Sequence, residues 1–528
     1  MAMLDEEMGA GKIGKSFKHV CKLLFGSEIG ELKDFGPYFK EMMYTYRDAS
    51  SCLSGKPTMV SSPHYMESAR YISQEEISQL RSEPLDINRI KDMDSLLDAV
   101  GERVLYCGNK LFGKNEGVHA VDNGFDCTNV HSSHNTYSVK DSAFLSLGVE
   151  DAGIFGCSGM MHSYYCMRCI RCINDAGAGA TRCFESHYGV NLSDSYYAFN
   201  CRGSSNLMFC FNQTGKSYMV GNLQLTKERY MEIRSILLSE LAEKLGRDKR
   251  APSFTDLLGA KKGGFERERA SLFSNPPPQI EKAFSDTTNV VLGKRHKNSR
   301  DYSGWLLSKV IGVKLVKGAF GSPTYSVDLP MLRDLPASRL ATLDEARSNS
   351  GNSIELLPNE GISFDTIAAK AAKIALFTNE FIDGHCMGNV DVPSQQNSTN
   401  LYRVWNGIAS TLSAYGTIVN RSKYVFGGYM RAYLCEFCIN CYNSSNLKRC
   451  FECDSTYNSS DCYFTHNCEE MSECILCFNA KGLKYAVGNT ELPKEEYIRI
   501  KEILLAYINS QLEQKKKLDL SIFDLKSK

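Results

Sequence analysis

The chemistry open to this chain rests on its cysteines. Cys438, Cys441, Cys450 and Cys453 read C-x2-C-x8-C-x2-C, and paired C-x-x-C is the spacing from which a tetrahedral zinc site is built. Cys169 and Cys172 repeat the pair earlier in the chain, so these six are the candidate metal ligands, with zinc as the alternative to no cofactor. Disulfides are a second use of the same residues, but the 21 cysteines cannot all pair internally. Nucleophilic catalysis is a third, and it needs a base beside the thiol. His187 and His466 are the nearest histidines in sequence to the cysteine-rich stretches. Neither recurs at the matching place of the other, so no catalytic residues are assigned. The pair Glu469-Glu470 reads as a solvated corner rather than an acid/base dyad.

The cysteines stand in a repeat. Cys438, Cys450, Cys462 and Cys474 recur at every twelfth position, and so do Ile439, Phe451, Tyr463 and Ile475. Further columns read Cys441, Cys453, Thr465, Cys477 and Asn443, Ser455, Asn467, Asn479. A short fixed period means one unit stacked on copies of itself. The period is too short for a helical hairpin, and the β-branched, aromatic, Cys and Asn content suits short strands joined by tight corners. The expectation is a narrow β-solenoid, with Cys stacked in a thin core and Asn at a left-handed corner. This period accounts for C-x-x-C without a metal.

A longer repeat tests the zinc reading. Cys183-Phe184-Glu185 matches Cys450-Phe451-Glu452, Cys210-Phe211-Asn212 matches Cys477-Phe478-Asn479, and Gly221-Asn222 matches Gly488-Asn489, each at an offset of 267. Upstream, Cys166, Cys169 and Cys172 match Cys435, Cys438 and Cys441 at an offset of 269, so the loop 175–181 is longer by two. The counterparts of Cys453, Cys462 and Cys474 are Ser186, Ser195 and Leu207. Leucine fills a core and binds no metal, so core thiols are preferred to ligands.

The fold class expected is α+β, a tandem duplication. Each half is a short-coil β-solenoid of 12-residue period, preceded by helical segments and capped by a C-terminal helix. Four stretches follow: 1–126, the mixed segment of half one; 127–260, the first solenoid and cap; 261–389, a linker and mixed segment; and 390–528, the second solenoid, cap and tail. Helical spacing marks Phe17, Val20, Cys21, Leu24 and Phe25, then Phe39 to Tyr46, and the run from Phe364 with Ile367, Ala371, Ile374 and Phe377. One cap runs near 226–245 with Thr226 as N-cap, and the other starts at Pro493.

The run 435–497 resembles Cys-rich C-x-x-C repeat proteins of uncultivated bacteria that carry CaiB/BaiF-like or zinc-ribbon-like labels. The shared pattern is a ladder of C-x-x-C coils. An exit follows, here Cys477-Phe478-Asn479, Lys481-Gly482-Leu483, Tyr485 and Asn489, then Lys494-Glu495-Glu496-Tyr497. The resemblance covers the later coils and implies the fold. The CoA transfer that one label suggests has no counterpart among these residues.

Lys plus Arg equals Asp plus Glu at 61 each, which removes whole-protein attraction to nucleic acid and permits self-association. Nucleic acid as a partner rests on local basic runs, of which 293–300, GKRHKNSR, is the best. No apolar run is long enough to cross a membrane, and acids precede the short apolar run near the N-terminus, the wrong order for a secretory signal. The expected setting is a reducing, intracellular compartment, and no small-molecule substrate is inferred. The function expected is a non-enzymatic structural protein building a homo-oligomeric shell or virion-type lattice from copies of itself, with a zinc-binding, nucleic-acid-associated module as the alternative. Leu518, Leu520, Ile522, Phe523 and Leu525 in the tail, which resembles Ser253 to Leu257, are the candidate subunit contact, expected to dock on the next copy as an edge strand.

Overall fold

The computed structural model describes residues 8–9, 11–80, 85–173, 179–260, 273–357, 360–429, 432–433, 435–442, 444 and 447–526. The protein is a mixed α+β chain. Its sheets are mainly parallel, with short antiparallel pairs such as Arg47–Ser50 with Pro57–Val60.

Parallel pairing runs at one offset. Cys462 lies beside Cys474, and Cys474 beside Ala486. Val190–Phe199 pairs with Arg202–Phe211 through Val190 beside Arg202 and Phe199 beside Phe211. Within this 12-residue register lies a shorter rhythm. Glu452, Ser455, Asn458, Asp461, Phe464, Asn467, Glu470, Glu473, Leu476 and Asn479 all have φ between +48° and +57°. Each is followed by a residue whose side chain points inward, and from Cys453 through Thr456, Ser459, Cys462, Thr465, Cys468, Met471 and Cys474 to Cys477 every one is buried. Four triplets make one period. Left-handed backbone costs a non-glycine residue roughly 1–2 kcal/mol. That cost is met by hydrogen bonds between stacked periods. The Phe464 amide donates to Phe451 O at 3.0 Å and Leu476 to Tyr463 O at 2.9 Å, each reaching back one period and one place more.

The expected Asn corner is present. Asn467 Nδ2 donates to Asn479 Oδ1 at 3.0 Å, and Asn200 donates to Asn212 at 2.9 Å. Asn443, the head of that column, lies outside the described residues, as does most of the loop 175–181.

The chain divides into two compact units that interleave in sequence. The first comprises Met1–Tyr46, Leu111–Ser271 and Lys314–Glu380, the second Arg47–Lys110, Leu272–Val313 and Phe381–Lys528. Each therefore contains a segment from the opposite half of the chain, 314–380 in the first and 47–110 in the second. These limits are not those of the four sequence stretches 1–126, 127–260, 261–389 and 390–528.

In the first unit the helix Lys12–Phe25 buries Phe17, Val20, Cys21, Leu24 and Phe25, the face read from the sequence. The helix expected over 39–46 is confined to Gly36–Lys40. Beyond it the Tyr44 amide donates to Ser146 Oγ at 3.0 Å, so the backbone is bonded to the sheet and leaves the helix. Lys227–Asp248 closes the ladder, and Thr226 Oγ1 accepts from the Arg229 amide at 3.3 Å as N-cap. In the second unit the corresponding helices are Pro278–Leu292 and Lys494–Lys515. Pro493 is the N-cap residue of the latter, one place before the first-turn position expected of it.

Candidate functional site

Seventeen of the cysteines line the interior of the two ladders, and Cys21, Cys52, Cys107 and Cys386 lie elsewhere. All 21 are free thiols, and all but Cys52 and Cys386 are buried. Their sulfurs face the backbone in a constant pattern. Cys453 Sγ donates to Phe451 O at 3.4 Å and Cys462 O at 3.3 Å, two places back and nine ahead. Cys441 does the same toward Ile439 O and Cys450 O, and Cys169 toward Met167 O. Cys172, Cys438 and Cys450 also reach carbonyls on both sides. Hydroxyls take the same role. Ser186, which stands where the second unit has Cys453, donates to Phe184 O at 3.2 Å and Ser195 O at 3.1 Å, and Thr456 bonds Asp454 O and Thr465 O. Many inward places thus hold a small side chain whose one donor meets carbonyls turned inward by the ladder, while others, such as Met471 and Leu207, are apolar.

The triplet rhythm also explains C-x-x-C, since every third place faces inward. The sulfurs of Cys438, Cys441, Cys450 and Cys453 follow the inner wall of the ladder, and each is engaged with a carbonyl. Among the described residues no three or more His, Cys, Asp or Glu side chains converge as a metal's ligand set does. Burial pushes the Cys210 and Cys468 thiols up to about 12 and Cys201 further. Burial raises Cys166 and Cys450 as well, but hydrogen bonds from neighbouring thiols outweigh it and hold both low, and such bonds from Cys462 and Cys477 bring Cys474 down to about 4.

Beside each ladder lies a cluster of buried ionisable side chains that sequence reading did not assemble. In the first unit Arg168 Nε donates to Glu185 Oε1 at 2.7 Å, and its Nη1 to Tyr38 O at 2.6 Å, with the guanidinium 4.0 Å over the Tyr38 ring. His187 accepts from the Ile170 amide at Nδ1 and so holds its proton on Nε2, 3.2 Å from Glu185 Oε2. Burial pushes the Glu185 carboxyl up, but Arg168 and His187 outweigh it and hold it below the usual range. In the second unit His466 accepts from the Cys107 amide at Nε2, 2.8 Å, and places its Nδ1 proton on Asp454 Oδ2 at 2.9 Å. Tyr65 adds a 2.6 Å bond to the same oxygen. Burial raises Asp454 also, and the His466 bond, followed by Lys110 and Tyr65, brings it below the usual range. Both clusters are fully buried. No sequence signal joined them, because Tyr65 and Cys107 come from a distant segment.

Another buried acid, Glu452, holds the segment 518–526. Its Oε1 accepts from Tyr442 Oη at 2.9 Å and Asn440 Nδ2 at 3.3 Å, and its Oε2 from Ser521 Oγ and the Ile522 amide, both at 2.9 Å. Burial outweighs these four neutral donors, and the carboxyl is raised to about 7. Tyr106 Oη donates to Ile522 O at 2.8 Å, and the Met66 amide to Phe523 O at 3.1 Å. Leu518, Ile522, Phe523 and Leu525 are buried in their own unit, and Leu520 is half-buried. The tail is therefore not an edge strand. Side chains of 65–106 and 440–452 take up its backbone groups, so it turns instead of extending. Its likeness to Ser253 to Leu257 holds differently: Ser253 caps the short helix Phe254–Leu257, and Phe254 packs edge-on against Phe377 at 5.5 Å within the first unit.

The basic runs are engaged in ion pairs. Lys294 meets Glu513 at 2.5 Å, Arg295 meets Asp286 at 3.0 Å, Lys244 meets Asp365 at 3.1 Å, and Lys515 meets Asp519 at 2.6 Å. Among the described residues no helix is long and apolar enough to cross a membrane. Comparison with protein-family models, curated proteins and solved structures gives no match in any of the three.

Proposed function

We propose that the chain is a non-enzymatic structural protein. It is a tandem duplication of a β-solenoid with 12-residue coils, each copy capped by a C-terminal helix, and copies of the chain build a homo-oligomeric shell or lattice. The observation that carries this reading is the commitment of the interior. The inward thiols and hydroxyls are bonded to the ladder's own carbonyls, and the buried histidines and carboxylates are bonded to one another and to the segments covering them. Groups with chemical potential are used to hold backbone, which is what a rigid building block needs. The 12-residue register supports the solenoid, and the helices Lys227–Asp248 and Lys494–Lys515, which begin at the same offset of 267 as the sequence repeat, support the duplication. Neutral net charge leaves self-association unopposed. Light scattering and electron microscopy of the purified chain test the reading. Regular particles or arrays are expected; a monomer at every concentration overturns it.

A further inference from the structure

We infer that the first unit binds a small oxyanion-bearing molecule in the groove between the end of Lys12–Phe25 and the helix Lys227–Asp248, with Arg234 as the anchor. The site lies within one unit and needs no second copy of the chain. It goes beyond the assembly reading and does not rest on it.

The groove encloses about 700 Å³, a volume that suits a small organic molecule. Residues 22–27 wall it on one side and one face of the closing helix on the other. Arg234 lines it, together with the hydroxyls of Ser27, Ser235 and Ser239. The guanidinium lies 5.6 Å over the Tyr196 ring, and its Nη2 donates to Tyr196 Oη at 3.4 Å. Its Nε is buried and meets no acceptor, and among the described residues Arg234 has no carboxylate partner.

The second unit shows what this arginine lacks. Lys501 stands at the offset of 267 from Arg234 and lies 5.2 Å over the Tyr463 ring, the counterpart of Tyr196. The two tyrosines are held alike, Tyr463 Oη donating to Val291 O at 2.7 Å and Tyr196 Oη to Leu24 O at 2.6 Å. Lys501 is neutralised by Glu473 at 2.8 Å. The place of Glu473 in the first unit is Asn206, on a corner of the same backbone, with φ of +55° and +53°. The residue after the cation changes in the same sense, from Glu502 to Ser235. One arrangement thus occurs twice, with its carboxylate in the second unit and without it in the first. A guanidinium with open donors beside hydroxyls matches the oxygens of a carboxylate or a phosphate group.

The other charges of the groove bound the ligand. Lys22 is paired with Glu28 at 2.9 Å, which leaves Arg234 as the cation without an acid. Glu243, nine places further along the helix, lines the far end. An acid there opposes a polyanion such as a nucleic-acid strand and admits a molecule with one anionic group, seated at Arg234.

Calorimetric titration of the full chain with glycerol 3-phosphate and with glycerate tests the site and tells phosphate from carboxylate. Saturable binding of at least one at millimolar concentration is expected. Arg234→Gln should weaken it at least about tenfold. Asn206→Glu supplies from within the carboxylate that the second unit has, and should weaken binding as much while keeping the arginine. The circular dichroism spectrum of each variant should match that of the parent chain. Binding of glycerol 3-phosphate alone assigns the site to phosphomonoesters, and of glycerate alone to carboxylates. A parent chain that binds neither, or binding that either variant leaves unchanged, overturns the inference.

Discussion

At the scale of single residues, the inward positions set the rules. Cys462 Sγ donates to Ser460 O and stacks between Cys450 and Cys474 in an interior with no spare width. Leu at that place should cost on the order of 1–3 kcal/mol by overpacking. Ser should be milder, because Ser195 already fills the matching place and bonds Ser193 O at 2.7 Å. Thermal melts of C462L and C462S check the order. Glu452 supplies a pH-dependent contribution. The folded carboxyl keeps its proton to about 7, whereas the unfolded one loses it near 4.5. The folded state therefore binds the extra proton, and the stability this contributes is full below pH 4.5 and lost as pH rises through 7. The change is on the order of 3 kcal/mol. Denaturant titrations from pH 4 to 8 should show that fall in the parent chain and a flatter profile in Glu452→Gln.

At the scale of elements, the segment 518–526 acts as a wedge inside the second unit. It buries Ile522, Phe523 and Leu525 and engages Glu452 Oε2 and the hydroxyl of Tyr106. Deleting 518–528 should destabilise that unit by on the order of 5 kcal/mol, from the apolar side chains alone. Added free peptide 518–528 should restore part of the loss in a melting experiment. The capping helices are the other decisive elements. Thr226→Ala removes one N-terminal hydrogen bond and should cost about 1 kcal/mol, read as a lower melting temperature.

At the scale of the whole molecule, the thiols report on the fold. Cys52 and Cys386 should react promptly with a thiol reagent and the buried thiols only after denaturation, because burial shields them from the reagent. A metal chelator should leave the folded signal unchanged if the sulfurs are bonded to carbonyls; loss of β signal on chelation would restore zinc.

The period, the inward columns and the closing helices were legible in the sequence because they are local and repetitive. Strands paired in parallel at a fixed 12-residue offset place like side chains side by side, so Cys438, Cys450, Cys462 and Cys474 announce the pairing. The left-handed corners were legible only where Asn marked them. Phe464 and Leu476 hold φ of +53° and +51° with side chains that do not favour it, and inter-strand hydrogen bonds impose the conformation. The covering segments were not legible at all. That Tyr65 and Tyr106 meet Asp454 and Ile522, or that Phe377 meets Phe254, follows from packing between stretches far apart in the chain, which no period encodes. The repeat determines the ladders. Tertiary structure decides which stretch of chain buries each ladder's flank, and with it that the tail closes on its own unit.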